Sequence, residues 1–243
     1  MQRWVGECLP HWGGDCSLTT SNVSSHVLPR VKEALVVCAH PDDESFGLGA
    51  ILAALCGGGT RVRVLCFTHG EASTLGDTTQ SLGEVREQEL NSAAEVLGID
   101  ETKLMAYADG HLQEAPIDEL VRLVEESIET AELLLVFDED GITGHPDHSQ
   151  ATKAACIAAK RQSLPVLAWT LPKSVARQLN VEFGTAFVGR DDDSIDIVID
   201  VDRELQREAI ACHASQSLHN PVLWRRLELL GKREHLRWLF SLV

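Results

Sequence analysis

Along the chain, short continuous apolar runs alternate with stretches of helical periodicity. The first run, Ala34–Cys38 (ALVVC), has the length and β-branched content of a fully buried strand. It ends abruptly in His40, Pro41, Asp42, Asp43 and Glu44. An imidazole and three carboxylates so close together cannot be buried unpaired. They are tolerated at a strand's carboxyl end when they bind a metal or a ligand. Ser45–Leu55 then carries Phe46, Leu48, Ile51, Leu52 and Leu55 at helical spacing and stops at Gly57-Gly58-Gly59.

The alternation continues. Arg61–Phe67 predicts a strand, followed by a polar loop to about Leu82, and Gly83–Leu97 a helix closed by Gly98. Lys103–Tyr107 predicts a strand, Pro116–Ala131 a helix, and Leu133–Phe137 a buried strand. The acidic, Gly-rich loop Asp138–Gly144 leads into a second cluster, His145-Pro146-Asp147-His148, and a helix over Asp147–Arg161. A strand at Pro165–Trp169 and a helix at Pro172–Leu179 follow. The alternating SIDIVIDV at Ser194–Val201 predicts an antiparallel edge strand. Arg203–Ser217, Pro221–Leu230 and Lys232–Leu239 are expected to be helical. Strand–helix alternation with continuous apolar strands implies an α/β, Rossmann-like fold: a mostly parallel sheet with helices on both faces. Ligands bind such sheets at the strands' carboxyl ends, where the loops at His40, Glu71 and His145 fall. Residues 1–32 lack periodicity and are expected to form an irregular arm that docks through Trp4 and Trp12. Residues 33–243 are expected to form a single domain.

Composition narrows the function. The chain has 243 residues, 37 acidic against 21 basic, for a formal net charge of −16. That excess opposes binding to nucleic acid and to anionic membranes. Seven cysteines are an odd number, and Cys38, Cys56, Cys66 and Cys156 lie in apolar segments. They predict small core residues of a reduced protein, with Cys8 and Cys16 in the arm. The first residues lack the continuous apolar core of a signal peptide, and no run approaches the roughly 20 residues of a membrane span. The expected compartment is the cytoplasm. Oligomeric state is not legible, and a homo-oligomer stays open.

His40 and Asp43 lie three apart at one helix start, and His145 and His148 repeat that spacing at another. Hydrolytic zinc takes three protein ligands from His, Asp or Glu and leaves a position for water. One Asp and two His fill that need, leaving Asp42 and His145 beside the water. A carboxylate there can take the water's proton, and an imidazolium can stabilise the oxyanion of an attacked carbonyl. The residues alone therefore point to metal-assisted hydrolysis at a carbonyl. Iron(II) suits the same ligands.

AHPDDE at Ala39–Glu44 and HPDH at His145–His148 resemble the two signature motifs of the LmbE-like, or PIG-L, family of zinc-dependent N-deacetylases. FTHGEAS at Phe67–Ser73, Arg86 with Glu89, Tyr107–Gly110 and HASQ at His213–Gln216 resemble further segments of that family, in order. The family often has Gly-Gly after the first motif, where this chain has Gly49-Ala50. The resemblance implies removal of acetyl from an N-acetylated, GlcNAc-type sugar or conjugate. By motif position it makes His40, Asp43 and His148 the Zn2+ ligands. Asp42 becomes the base and then the acid, and His145 the oxyanion partner, oriented and charged by Asp147. Glu71, Arg86 and Asp109 fall where the family contacts substrate, although Arg86 also suits a surface ion pair and Asp109 a turn. Two other readings remain: the same centre acting on a different amide, and a catalytically silent protein that binds a sugar or nucleotide.

Overall fold

A computed structural model gives the structure of residues 26–75 and 81–241. Trp4, Trp12, Cys8, Cys16 and most of the expected arm lie outside these residues, as does part of the loop before Leu82. Among the described residues seven strands form one sheet: β1 (Glu33–Cys38), β2 (Arg61–Thr68), β3 (Glu101–Tyr107), β4 (Leu133–Phe137), β5 (Val166–Thr170), β6 (Ile197–Asp200) and β7 (Arg233–Phe240). The order across the sheet is β3-β2-β1-β4-β5-β7-β6. The first five strands run parallel, and β7 joins antiparallel between β5 and β6.

The continuous apolar strands are two-faced, as expected for a sheet covered on both sides. Ala34, Val36 and Cys38 of β1 pack into one core with helix α2 (Gly49–Gly57). Leu35 and Val37 pack into the other with α4 (Ile117–Ile128) and α5 (Pro146–Gln162). Helix α3 (Leu82–Leu97) lies beside α7 (Glu204–Cys212). Its C-cap Gly98 sits at φ 75°, a left-handed conformation that glycine adopts without steric cost. No helix among the described residues is long and apolar enough to cross a membrane. Cys38, Cys56, Cys66, Cys156 and Cys212 are free.

Three elements differ from expectation. The helix expected over Ser45–Leu55 is two, α1 (Asp43–Phe46) and α2, broken at Gly47. A Cβ at Gly47 would lie 2.6 Å from the Phe137 ring, so the chain turns where only glycine fits. The helix expected over Arg203–Ser217 breaks at His213 into α7 and α8 (Ala214–Ser217). Lys232–Leu239, expected to be helical, is strand β7. Its apolar residues suit either period, but Glu234 and Leu236 are buried while Arg233, His235 and Arg237 are less so, a period of two. The edge expectation for Ser194–Val201 holds: β6 is antiparallel at the sheet margin.

The topology also positions the site. The chain leaves β1 toward β2 and β3, then returns to place β4 on the other side of β1. The crevice between the carboxyl ends of β1 and β4 is therefore the sheet's switch point, where such folds bind ligands. His40 follows β1, and the loop to His145 follows β4.

Candidate active site

The first turn is built by its own backbone. Asp43 Oδ2 accepts the N–H groups of Ala39 and His40, both at 3.0 Å, which ends the strand and frees Oδ1. Thr68, at the end of β2, donates its N–H and its hydroxyl to Ala39 O at 2.9 Å. Glu44 Oε2 accepts from Asp42 N at 2.9 Å. Asp42 itself sits at φ 142°, a region that costs a non-glycine residue about 1–3 kcal/mol. Glu44 is fully buried and bonds His213 Nε2 at 2.7 Å, so the carboxyl-terminal third supports this turn.

The second turn opens α5, with Pro146 in its first turn and His145 as N-cap. His145 Nδ1 accepts from Asp147 N at 3.2 Å. The preceding loop, acidic in sequence, is tied down by ion pairs and backbone bonds. Arg190 bonds Asp138 Oδ2 at 2.7 Å and Asp140 Oδ2 at 2.6 Å, and Val188 N donates to Ile142 O at 2.7 Å. The loop in turn presents Gly141 O 3.1 Å from His148 Nδ1. A Cβ on Gly141 would come within 2.9 Å of the His148 Cβ, so glycine is needed there.

The two turns meet. His40 Nδ1 lies 3.0 Å from His148 Nε2, and Asp43 Oδ1 lies 3.1 Å from the same Nε2. One ligand atom from each of His40, Asp43 and His148 falls within 4.8 Å of the others. Gly141 O takes the proton on His148 Nδ1, leaving a lone pair on Nε2. Asp109 Oδ1 at 3.1 Å and Asp147 Oδ2 at 3.5 Å draw the His40 proton to Nε2, leaving a lone pair on Nδ1. Two ring nitrogens and a carboxylate oxygen therefore converge, a donor set that a positive charge, a proton or a metal ion, draws together. Tetrahedral bonds of zinc length would set such donors about 3.3 Å apart, close to the separations here. The donor set thus fits a divalent metal.

The surrounding carboxylates favour positive charge at this point. Burial opposes the charge on His40, but Asp109, Asp147 and Asp43 overcome it and raise its pKa well above the usual imidazole range. Burial would raise Asp43, yet His148 and His40 hold its carboxyl far below the usual range. Asp42 is pushed up to about 6 by burial, against the pull of Arg86. His145 is lowered by burial and then by His40 and His148.

Several expected residues sit elsewhere than their assigned roles implied. The Asp147 carboxylate makes no hydrogen bond to His145. It is fully buried and accepts Gly110 N at 2.8 Å and Leu112 N at 3.0 Å. His145 Nδ1 accepts from Asp147 N, and burial with His40 and His148 outweighs the pull of the Asp147 carboxylate and lowers the ring's pKa. Glu71 lies outside the cleft and accepts from Asp109 N at 3.0 Å. Asp109 lines the cleft but faces His40. Arg86 lines the cleft and is buried, bonding Asp42 Oδ2 at 2.9 Å, Gly70 O and Pro41 O, so it forms an ion pair but not the expected surface one. The cleft of about 520 Å³ is completed by residues that no motif marked, among them Phe187, Asn220 and Arg226. They come from segments whose only sequence signal was helical periodicity or none. Gln216, flagged with His213, accepts from Ser73 Oγ at 2.7 Å and ties the first loop to α8.

The family described as PIG-L, GlcNAc-PI de-N-acetylase, matches residues 35–159. A probable N-acetylglucosaminyl-phosphatidylinositol de-N-acetylase of Schizosaccharomyces pombe is 37% identical over 142 residues, 54% of this chain and 54% of that protein. The chain thus spans about half the length of that relative. A 1D-myo-inositol 2-acetamido-2-deoxy-alpha-D-glucopyranoside deacetylase of Mycobacterium sp. is 29% identical over 239 residues, 81% of this chain and 77% of its own. A probable N-acetyl-alpha-D-glucosaminyl L-malate deacetylase 2 of Bacillus anthracis is 29% identical over 214 residues, 86% of this chain and 92% of its own. Among solved structures, the N,N'-diacetylchitobiose deacetylase of Pyrococcus horikoshii superposes with a TM-score of 0.61 at 21% identity, covering 86% of this chain and 84% of that one. GalB, a 4-carboxy-2-hydroxymuconate hydratase of Pseudomonas putida, does so at 0.63 and 20%, covering 88% and 98%. These two likenesses concern the fold, which hosts more than one chemistry. The match to the family takes in just over half of the chain and both His-Pro-Asp turns, and this protein belongs to the PIG-L family.

Proposed function

We propose that this protein is a metal-dependent amidohydrolase that removes acetyl from the amine of an N-acetylglucosamine conjugate. One observation carries the reading: the lone pairs of His40 and His148 converge with Asp43 Oδ1 directly beside Asp42 and His145. The relatives support the substrate class, since their names join N-acetylglucosamine to inositol, malate or phosphatidylinositol. His40, Asp43 and His148 hold the metal, with Asp109 and Asp147 fixing the His40 ring. Zinc bound there supplies a Lewis acid that polarises the amide carbonyl and acidifies water, and iron(II) suits the same donors.

The chain's own groups move the protons. Asp42, ionised at neutral pH yet basic enough to accept a proton, takes one from the attacking water. It then gives that proton to the leaving nitrogen, so water and amide become acetate and amine. His145 holds its proton on Nε2 because Nδ1 accepts from Asp147 N, and so donates to the developing oxyanion. Arg86 fixes Asp42 from the opposite side. The test is amine release from N-acetylglucosaminyl conjugates. Dialysis against a chelator should abolish turnover, and one equivalent of Zn2+ should restore it. Sugar binding without amine release from the zinc-loaded protein would leave the silent reading standing instead.

A further inference from the structure

The cleft holds two buried guanidinium groups whose surroundings differ. Arg86 is neutralised by Asp42. Arg226, on α9 (Pro221–Leu230), forms no ion pair among the described residues. Its Nη2 donates to Phe46 O at 2.6 Å, its Nε is buried without a partner, and its guanidinium carbon stacks 4.9 Å from the Trp169 ring centre. The acid acting on it most strongly, Glu234, is already engaged. One carboxylate oxygen accepts from Arg203 Nη1, and the other from Trp169 Nε1 at 2.8 Å. Burial without a dedicated counter-charge pulls Arg226 down to about 10. A buried cation in that state gains strongly from an anion that can reach it.

Arg226 lines the same cleft as the metal ligands. Trp169 packs on Phe137 with ring centres 5.0 Å apart, and Phe137 on His148 at 4.9 Å. Arg226 therefore stands two aromatic rings from the metal site. At that remove it lies off the metal site yet in the same cleft. The chain's charge of −16 offers an anionic substrate no long-range attraction, so recognition has to be local.

We propose that Arg226 is a specificity residue that binds an oxyanion, carboxylate or phosphate, on the group attached to the sugar, and so directs the cleft to anionic conjugates. A planar guanidinium suits both oxyanions through paired donors. The proposal rests on the deacetylase reading, and the test separates the two. Amine release is measured on N-acetylglucosaminides carrying malyl, inositol-phosphate or uncharged inositol groups. Wild-type kcat/KM should be about tenfold or more higher for at least one anionic substrate than for the inositol substrate, through KM. The better of the malyl and phosphate substrates identifies the source of the oxyanion. Arg226→Gln should reduce that ratio about tenfold or more, with partial recovery in Arg226→Lys. Equal wild-type kcat/KM on all three, with amine released, overturns the proposal and leaves the deacetylase reading standing. If no substrate releases amine, titration calorimetry with malate and inorganic phosphate decides. Binding lost in Arg226→Gln then sustains the anion site while the deacetylase reading falls, and absence of binding overturns both. Should Arg226→Gln fail to fold, Arg226→Lys decides: a lowered ratio sustains the proposal and an unchanged one overturns it.

Discussion

His40-Pro41-Asp42-Asp43 and His145-Pro146-Asp147-His148 each follow a parallel strand and open a helix, yet their third residues serve different partners. Asp42 reaches Arg86 and the cleft from a backbone held at φ 142°, before a four-residue helix with no side-chain cap. Asp147 lies in the first turn of a 17-residue helix that has a histidine N-cap and opens on proline. Its carboxylate points inward to two backbone N–H groups and to His40. The fourth residues, Asp43 and His148, converge instead. One turn is held by its own backbone and by Glu44, the other by an ion-paired loop. Near-identical residues can thus divide, one facing the cleft beside an arginine and one buried against backbone N–H groups, according to what the fold sets against them.

The comparison is sharpest in the two third-position aspartates. Asp42→Asn keeps the side-chain shape and a residue tolerant of unusual backbone, but removes the proton acceptor. Turnover should fall about 10²–10⁴-fold with metal content unchanged, checked by steady-state rates beside elemental analysis. An unaltered rate would move the base elsewhere. Asp147→Asn should act through the metal and the fold. Metal affinity should drop about 10–100-fold, and stability by about 1.5–3 kcal/mol, read from competition with a chelator and from chemical denaturation. If Asp147→Asn instead lost turnover with metal affinity intact, the two aspartates would share a role and the contrast would fail.

The smallest effect concerns how the second turn is held. Burial would raise Asp138, but Arg190 and Thr170 lower its carboxyl below the ordinary value. A carboxyl depressed in the folded state adds stability above its unfolded pKa and loses it as pH falls through the folded one. The contribution should therefore be complete at neutral pH and fade below about pH 4. Asp138→Asn should flatten that acid limb in melting scans taken across pH. A limb identical to wild type would show that the loop does not depend on this charge.

Much of the fold is legible in local pattern because parallel strands buried on both faces must be apolar throughout. Ala34–Cys38 and Leu133–Phe137 announce themselves that way. The strand Arg233–Phe240 does not, because its apolar residues satisfy two periods and only its pairing with β5 and β6 selects one. Within the site, His40, Asp43 and His148 are readable because their residue types and spacing already suit one ion. Glu71 and Asp147 share a feature that sequence cannot display: a carboxylate near a motif looks functional, and here each accepts a backbone N–H.

The chain by itself determined the parallel strands, most helix-bearing segments and the two chemical clusters, since each follows from hydrophobic period or local residue chemistry. Only the tertiary structure decided that the clusters meet, because that depends on β4 pairing with β1 rather than on any neighbouring residue. It alone placed Arg226 in the cleft and set Asp147 behind His40. Such contacts join residues far apart in the chain, and their energies arise only when burial removes water from between them.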